Sequence, residues 1–332
     1  MKHLKGFVIS AVACCLFCGC GELFSEPPAR SSAAENSLTV YEAGVSKNNI
    51  RPPVLLQSDN SETASIETKT QPFSGQDKNA QYENGALIGL DMSWEFADFS
   101  VINSGFATLF KAEMNRKNIT VGVNAGHGTS NVGSKKTYCH PDKTPKVTDG
   151  TTAEGAIKAI AVSSGMDFKS GTSEAKINLK VAILLKELLL KAGYDVLMIR
   201  TDSDIQLDNV ARTVICNNVA DCHIAIHFDG DGLDYDKGIF YMAVPDGIKN
   251  MYPVSTIWQE DDRLGESLVE GLRTKGLKIM GSGSVEMDLT QTSYSKIPTV
   301  DIELGNQCTD HNDSYLSELA NGLKAGVNLF FR

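Results

Sequence analysis

The sequence predicts an α/β fold, with a mixed and mostly parallel sheet covered by helices on both faces. Three observations carry this: β-rich runs alternate with amphipathic helical runs, the last element is a helix, and no internal repeat interrupts the order. The first strand is Ile119–Ala125. Ala175–Ala192 is helical because Ile177, Val181, Leu184, Leu185 and Leu188 recur at three- and four-residue spacing, and Gly193 stops it. Asp195–Ile199 is a strand, Leu207–Val219 a helix, Cys222–His227 a strand and Gly238–Val244 another. Leu264–Lys275 is a helix, Thr299–Leu304 a strand and Tyr315–Leu329 the closing helix. Ahead of these, Trp94–Met114 carries Phe96, Phe99, Val101, Phe106, Leu109 and Phe110, and is expected to pack on the core as helix or mixed structure.

The chain of 332 residues is long enough for one large core and a tail, or for two small domains. Its net charge of −10 leaves no electrostatic footprint for phosphate backbones, so nucleic acid is excluded as a partner class. The first twenty residues stand apart. Lys2 and Lys5 form a positive start, and the apolar run Phe7–Cys20 is too short to cross a hydrocarbon core of about 30 Å. It ends in Leu16-Phe17-Cys18-Gly19-Cys20, which resembles a bacterial lipobox and makes 1–20 a lipoprotein signal with Cys20 as the lipidated residue. The plainer alternative is a secretory signal with Cys20 unmodified. Residues 21–83 are rich in Ser, Asn, Thr, Glu and Pro without periodicity, and read as a flexible tether with a reach of about 45 Å. The remainder, 84–332, is expected to be the functional domain, extracytoplasmic and held to a membrane through lipid on Cys20. Of eight cysteines, Cys139, Cys216, Cys222 and Cys308 lie in that domain without a CxxC pair. This argues against a structural zinc cluster and leaves room for one or two disulfides.

Four segments place chemically capable residues at the ends of predicted strands or helices. Asn124-Ala125-Gly126-His127-Gly128 closes the first strand, with glycines that let the backbone turn and leave the ring open. Glu174 opens the long helix, His227 ends Ile224-Ala225-Ile226-His227, and Glu303 lies near the end of Val300–Leu304. In an α/β sheet, ligands gather beyond the carboxyl ends of strands. Two imidazoles and a carboxylate are a known catalytic zinc set, leaving a fourth position for water whose pKa falls to about 7. A further carboxylate then moves protons. Each residue taken alone has an ordinary explanation: a structural histidine, a glutamate favoured by a helix dipole, an ion-pair partner.

The ordered set is more specific. It resembles the zinc-dependent N-acetylmuramoyl-L-alanine amidases of the third amidase family. The matching pieces are Val123-Asn124-Ala125-Gly126-His127-Gly128, then Glu174 followed by Asn178-Leu179 and Ala182. Next come Gly193 to Arg200 with Thr201 and Asp204, then Arg212, Asn217, Ala220 and Asp221, then Ala225-Ile226-His227-Phe228-Asp229, and Pro298 to Gly305. The match runs over a core of 119–332. The resemblance implies a mixed six-stranded sheet, and one zinc per chain held by His127, Glu174 and His227 at the strand ends. It also implies Glu303 as the catalytic acid/base and peptidoglycan as substrate, cut at the amide between the muramic acid lactyl group and L-alanine during wall turnover, division or autolysis. A protein activator is the partner class it leaves open, and it assigns no substrate-binding residue. The competing reading is a non-catalytic envelope lipoprotein that kept the fold to bind peptidoglycan or a division partner.

Departures from the family pattern are Ala225 and Asp229 around the second histidine, Asp301 where an apolar residue is common, and Asn306 after Gly305. The largest is an insertion, 129–173, read as a lid, a selectivity element or a passive loop. It raises Glu154 as a rival ligand, set aside because no Asn-Leu follows it. His140 in the insertion and His311 are expected to be solvated, and His223 to be a hydrogen-bonded core or rim residue.

Overall fold

The computed structural model describes residues 77–332; the leader, Cys20 and most of the 21–83 segment lie outside the described residues. In chain order the elements are β1 (Leu87–Ile88), β2 (Ala107–Phe110), β3 (Thr120–Ala125), β4 (Lys136–Tyr138), β5 (Lys158–Ile160), α1 (Glu174–Lys191), β6 (Asp195–Met198) and α2 (Asn209–Val219). There follow β7 (Cys222–Asp229), β8 (Ile239–Ala243), α3 (Trp258–Arg273), β9 (Ile279–Glu286), α4 (Thr290–Ser293), β10 (Thr299–Asn306) and α5 (Asp313–Phe330).

Eight strands form the main sheet in the order β1-β2-β6-β3-β7-β10-β8-β9, while β4 and β5 pair separately inside the insertion. Neighbours β6-β3, β3-β7, β7-β10 and β8-β9 are parallel; β1-β2, β2-β6 and β10-β8 are antiparallel. The mixed α/β class is as expected, but the sheet has eight strands rather than six. The additional edges were hard to read. β1 spans two residues, β2 is embedded in the aromatic stretch after Trp94, and Gly281 and Gly283 break the alternation of β9.

Side-chain alternation divides two cores. Val121, Val123, Ile224, Ile226, Ile302 and Leu304 face α1, α3 and α5 in one continuous apolar cluster. Leu197, Ile199 and Leu109 face the other way and pack on Ala211, Ile215 and Val219 of α2. Fully burying each such side chain stabilises the fold by roughly 1.5–3 kcal/mol. On α1 the innermost residues are Ile177, Val181, Leu185 and Leu189, with Leu184 and Leu188 on the flank of that stripe. Helix α3 starts earlier than its apolar period suggests because its first turn is polar, with Glu260 and Asp261 at the positive helix terminus.

The packed domain also reaches back into the segment read as tether. Asn79 is fully buried and donates to Thr120 (2.6 Å) and Asp195 (2.8 Å), while Lys78 donates to the Ala220 carbonyl at 2.9 Å. The thiols of Cys139, Cys216, Cys222 and Cys308 are all free. The first three are buried and act as small apolar side chains, so the disulfides allowed by the sequence do not occur among them.

Candidate metal centre

Because β3, β7 and β10 run parallel and adjacent, their carboxyl ends lie side by side. His127 follows β3, His227 lies near the end of β7 and Glu303 near the end of β10, while Glu174 begins α1. The backbone at His127 is left-handed (φ 62°), a conformation non-glycine residues adopt only where the surroundings enforce it. Two buried arginines enforce it here. Arg212 donates to the His127 carbonyl (2.8 Å), Thr129 Oγ1 (2.9 Å) and Asn124 Oδ1 (3.2 Å). Arg200 donates to the carbonyls of Ala125 (2.9 Å), Gly126 (3.0 Å) and Ala175 (2.6 Å), tying the histidine loop to the start of α1. Burial lowers the guanidinium pKa of Arg200 to about 10 and of Arg212 to about 9, so both remain charged at neutral pH.

Three donor atoms meet at the centre. Glu174 Oε1 lies 2.9 Å from His127 Nε2 and 3.1 Å from His227 Nδ1, and the two nitrogens are 3.0 Å apart. Zinc bonds of roughly 2.0–2.1 Å in a tetrahedron give ligand–ligand separations of about 3.3 Å, so a small expansion of this triangle would make room for such an ion. The donors are held from behind. His127 Nδ1 meets the Ser163 carbonyl at 2.9 Å, and the Glu174 carboxylate accepts from Asn178 Nδ2 (3.0 Å) and from the amides of Phe228 (3.1 Å) and Met166 (3.1 Å).

Two glycines are required by this packing. A Cβ on Gly126 would stand 2.2 Å from the His227 ring, and one on Gly165 would stand 2.7 Å from both Glu174 Oε2 and His127.

The electrostatics favour positive charge. Burial alone would raise the Glu174 carboxyl, but the two imidazoles outweigh it and hold it well below the ordinary carboxylate range. Burial likewise lowers the His227 pKa, yet Asp301, Glu174 and Glu303 overcome this and push it up to about 10. The carboxylates around the ring thus favour positive charge at this point. Beside it, burial pushes the Glu303 carboxyl well above the usual range, and the neighbouring Asp301, Glu174 and Asp229 push the same way against His227.

The centre opens on a cleft of about 680 Å³ that also takes in Asn124, Asp229, Asp301 and Glu303. The insertion supplies one wall of it, from Gly150–Thr152 and Ala159–Met166, and is therefore not a passive loop. His140 is not solvated as expected: it is fully buried and bonds both oxygens of Asp288 at 3.0 Å, fastening the insertion to the loop after β9. Glu154 is exposed and outside the converging donors. His223 is fully buried, but among the described residues neither ring nitrogen has a hydrogen-bond partner, a departure from the hydrogen-bonded role expected. His311 is partly buried, stacked at 4.5 Å on Phe168 and 2.9 Å from Ser170 Oγ. Ser163, Gly165 and Met166 receive no role from the sequence, because backbone amides, carbonyls and a missing side chain leave no residue-type signal, whereas Asn178 stands in the motif after Glu174 and supports its carboxylate through a side-chain amide.

The profile of the family Amidase_3, N-acetylmuramoyl-L-alanine amidase, matches residues 121–327, which spans β3 through most of α5. The chain belongs to the N-acetylmuramoyl-L-alanine amidase family. The amidase is accordingly a peptidoglycan hydrolase that cuts the amide joining N-acetylmuramic acid to L-alanine. Its fold is similar to that of the Mycobacterium smegmatis N-acetylmuramyl-L-alanine amidase Ami1, at 15% identity over 64% of this chain and 96% of that one, with a TM-score of 0.54. Ami1 of Mycobacterium abscessus aligns at 19% identity over 64% of this chain and 99% of its own, with a TM-score of 0.49. An N-acetylmuramoyl-L-alanine amidase of Clostridium difficile 630 aligns at 21% identity over 64% and 96%, with a TM-score of 0.45. No curated protein matches the chain.

Proposed function

We propose that the amidase is zinc-dependent, with His127, Glu174 and His227 as the ligands of one ion and Glu303 as the catalytic acid/base. The observation that carries this is the convergence of two imidazole nitrogens and a carboxylate oxygen within 4.8 Å of one another, at the parallel strand ends where Glu303 also lies. Zinc bound there supplies Lewis acidity, polarising the scissile carbonyl and lowering the pKa of a bound water to about 7. The chain's own groups then divide the remaining work. Arg200 and Arg212 fix the His127 loop, and Asn178 with the Met166 and Phe228 amides fixes Glu174. Glu303 relays the proton lost by the attacking water to the L-alanine nitrogen as the carbon–nitrogen bond breaks. The products, a lactyl carboxylic acid and a free amino terminus, together take up one water.

We further propose that the enzyme works outside the cytoplasm in the cell envelope, anchored by lipid on Cys20 and extended from the membrane by the segment after it. The apolar run Phe7–Cys20 with its Gly19-Cys20 end supports this. Among the described residues no helix is long and apolar enough to cross a membrane.

The test is zinc content together with product analysis on peptidoglycan. About one zinc per chain, with stem peptides released bearing a free L-alanine amino terminus and the glycan left intact, is the expected result. Bound zinc without released peptide would instead support a protein that only binds the wall.

A further inference from the structure

Each imidazole of the proposed centre turns one ring nitrogen inward and the other outward. For His127 the inward atom is Nε2, and outward Nδ1 meets the Ser163 carbonyl at 2.9 Å. For His227 the inward atom is Nδ1, and outward Nε2 faces Asp301 Oδ1 at 3.8 Å. Asp301 Oδ1 is buried and has no hydrogen-bond partner among the described residues. Its ion-pair partner is the His227 ring, on the wall of the cleft.

The register explains how the carboxylate fits. Asp301 pairs directly with Ala225 across the parallel β7–β10 ladder, and Glu303 pairs with His227. Ala225 and Asp301 are two of the positions at which this chain departs from its family's pattern, and the sheet sets them side by side. The small methyl of Ala225 leaves room beside it for the carboxylate. On its other side the His227 ring presses against Gly126, where an added Cβ would come within 2.3 Å of Nε2. The ring is thus wedged between bare backbone and an acid.

Building on the zinc reading above, we infer that Asp301 is a positioning residue: it accepts the Nε2–H of His227 and so holds the ring in the tautomer whose Nδ1 lone pair faces Glu174 and the ion. Ligand histidines commonly give their second ring N–H to a carboxylate or a backbone carbonyl, and loss of such a partner weakens metal binding by roughly 10–100-fold. Here the two imidazoles use one of each kind. A 3.8 Å separation is longer than a hydrogen bond, as expected of a pair that tightens when the inward nitrogen is engaged.

The experiment measures Zn²⁺ affinity of the full chain by competition with a chromophoric chelator. It compares wild type, Asp301→Leu, Asp301→Asn, His127→Ala and Glu174→Ala, with the melting temperature of each metal-free protein recorded alongside. Asp301→Leu should weaken zinc by roughly 10–100-fold. Asp301→Asn, which keeps an acceptor oxygen without the charge, should weaken it less and keeps the test open should the leucine variant fail to fold. The metal-free melting temperature of each variant shows that it is folded under the conditions of the titration. Nitrogen-15 spectra of the zinc-loaded wild type should report a protonated Nε2 on His227. Unchanged zinc affinity in both Asp301 variants, while His127→Ala and Glu174→Ala lose zinc, overturns the inference and leaves the centre standing. Zinc-loaded spectra that place no proton on His227 Nε2 also overturn it. Wild-type affinity in His127→Ala and Glu174→Ala overturns the zinc reading itself.

Discussion

Glu303 stands directly across from His227 in the β7–β10 ladder, so its carboxyl group and the imidazole share one face of the sheet at one level. The backbone sets this separation, and it survives truncation of either side chain. Glu303→Ala should therefore retain close to one zinc per chain while peptide release falls by about 10²–10⁴-fold, the usual range for loss of a general acid or base. Glu174→Ala should lose metal, and Glu154→Ala should change neither. Metal analysis beside a peptide-release assay separates the three; loss of zinc in the Glu154 variant would overturn the ligand assignment.

Gly126 is small because His227 is against it. In Gly126→Ala the new methyl would overlap the ring at 2.2 Å, and neither partner is free to retreat, with Arg200 held on the Gly126 carbonyl. The variant should be destabilised by about 1–3 kcal/mol, the usual effect of overpacking, and should bind zinc more weakly. Chemical denaturation and metal titration would check both, and wild-type values in each would mean the loop moves freely.

Much of this was legible before the fold was known. The strand ends carrying His127, His227 and Glu303 were marked by apolar runs broken by polar residues, and the helix after Glu174 by its period. The arginines at 200 and 212 stood out as motif residues, but their work is to donate to carbonyls, and carbonyls have no identity in a sequence. His140 gave no sign of its burial because its partner, Asp288, lies far along the chain in the loop after β9. Edge strands β1 and β9 were missed for a different reason: a two-residue strand has no period, and glycines erase the alternation of the other.

On the proposed zinc reading, zinc and protons compete for His227. Its pKa of about 10 in the metal-free site means that the ring is protonated throughout the neutral range, and each ion bound must displace that proton. Apparent zinc affinity should therefore rise about tenfold per pH unit between pH 6 and 8, and proton release on binding should be measurable in weak buffer. An affinity independent of pH in this window would show that His227 is not displaced by the ion.

A buried cluster fastens the middle of the insertion to the loop after β9. Asp288 bonds His140 through both oxygens and accepts from the Val147 amide at 2.8 Å, while Lys146 donates to the Asp288 carbonyl. Asp288→Ala leaves His140 buried without its acceptor and should release this wall of the cleft. Limited proteolysis should then cut within residues 129–173 at least several-fold faster than in wild type, with the core fragment intact. Unchanged cleavage would mean that the other ties, from Thr129, Tyr138, Ser163 and Met166 to the core, suffice to hold the insertion.

His223 should make the fold acid-sensitive. It is fully buried with both ring nitrogens unpartnered, and burial, reinforced by Arg212, pushes its pKa down to about 3. Above the unfolded value of about 6.5 the ring is neutral in both states and has no effect on the pH dependence. As the pH falls below 6.5 the unfolded chain takes up a proton that the folded chain refuses, so stability is lost progressively until about pH 3. At pH 5 the loss from this one residue is about 2 kcal/mol. His223→Leu, of similar volume and without the titrating ring, should remove that component. Its urea midpoint at pH 7 should match or exceed wild type, and the drop between pH 7 and pH 5 should be smaller. Equal drops in the two proteins would place the acid sensitivity in other groups and show that the buried ring takes up its proton without unfolding the chain.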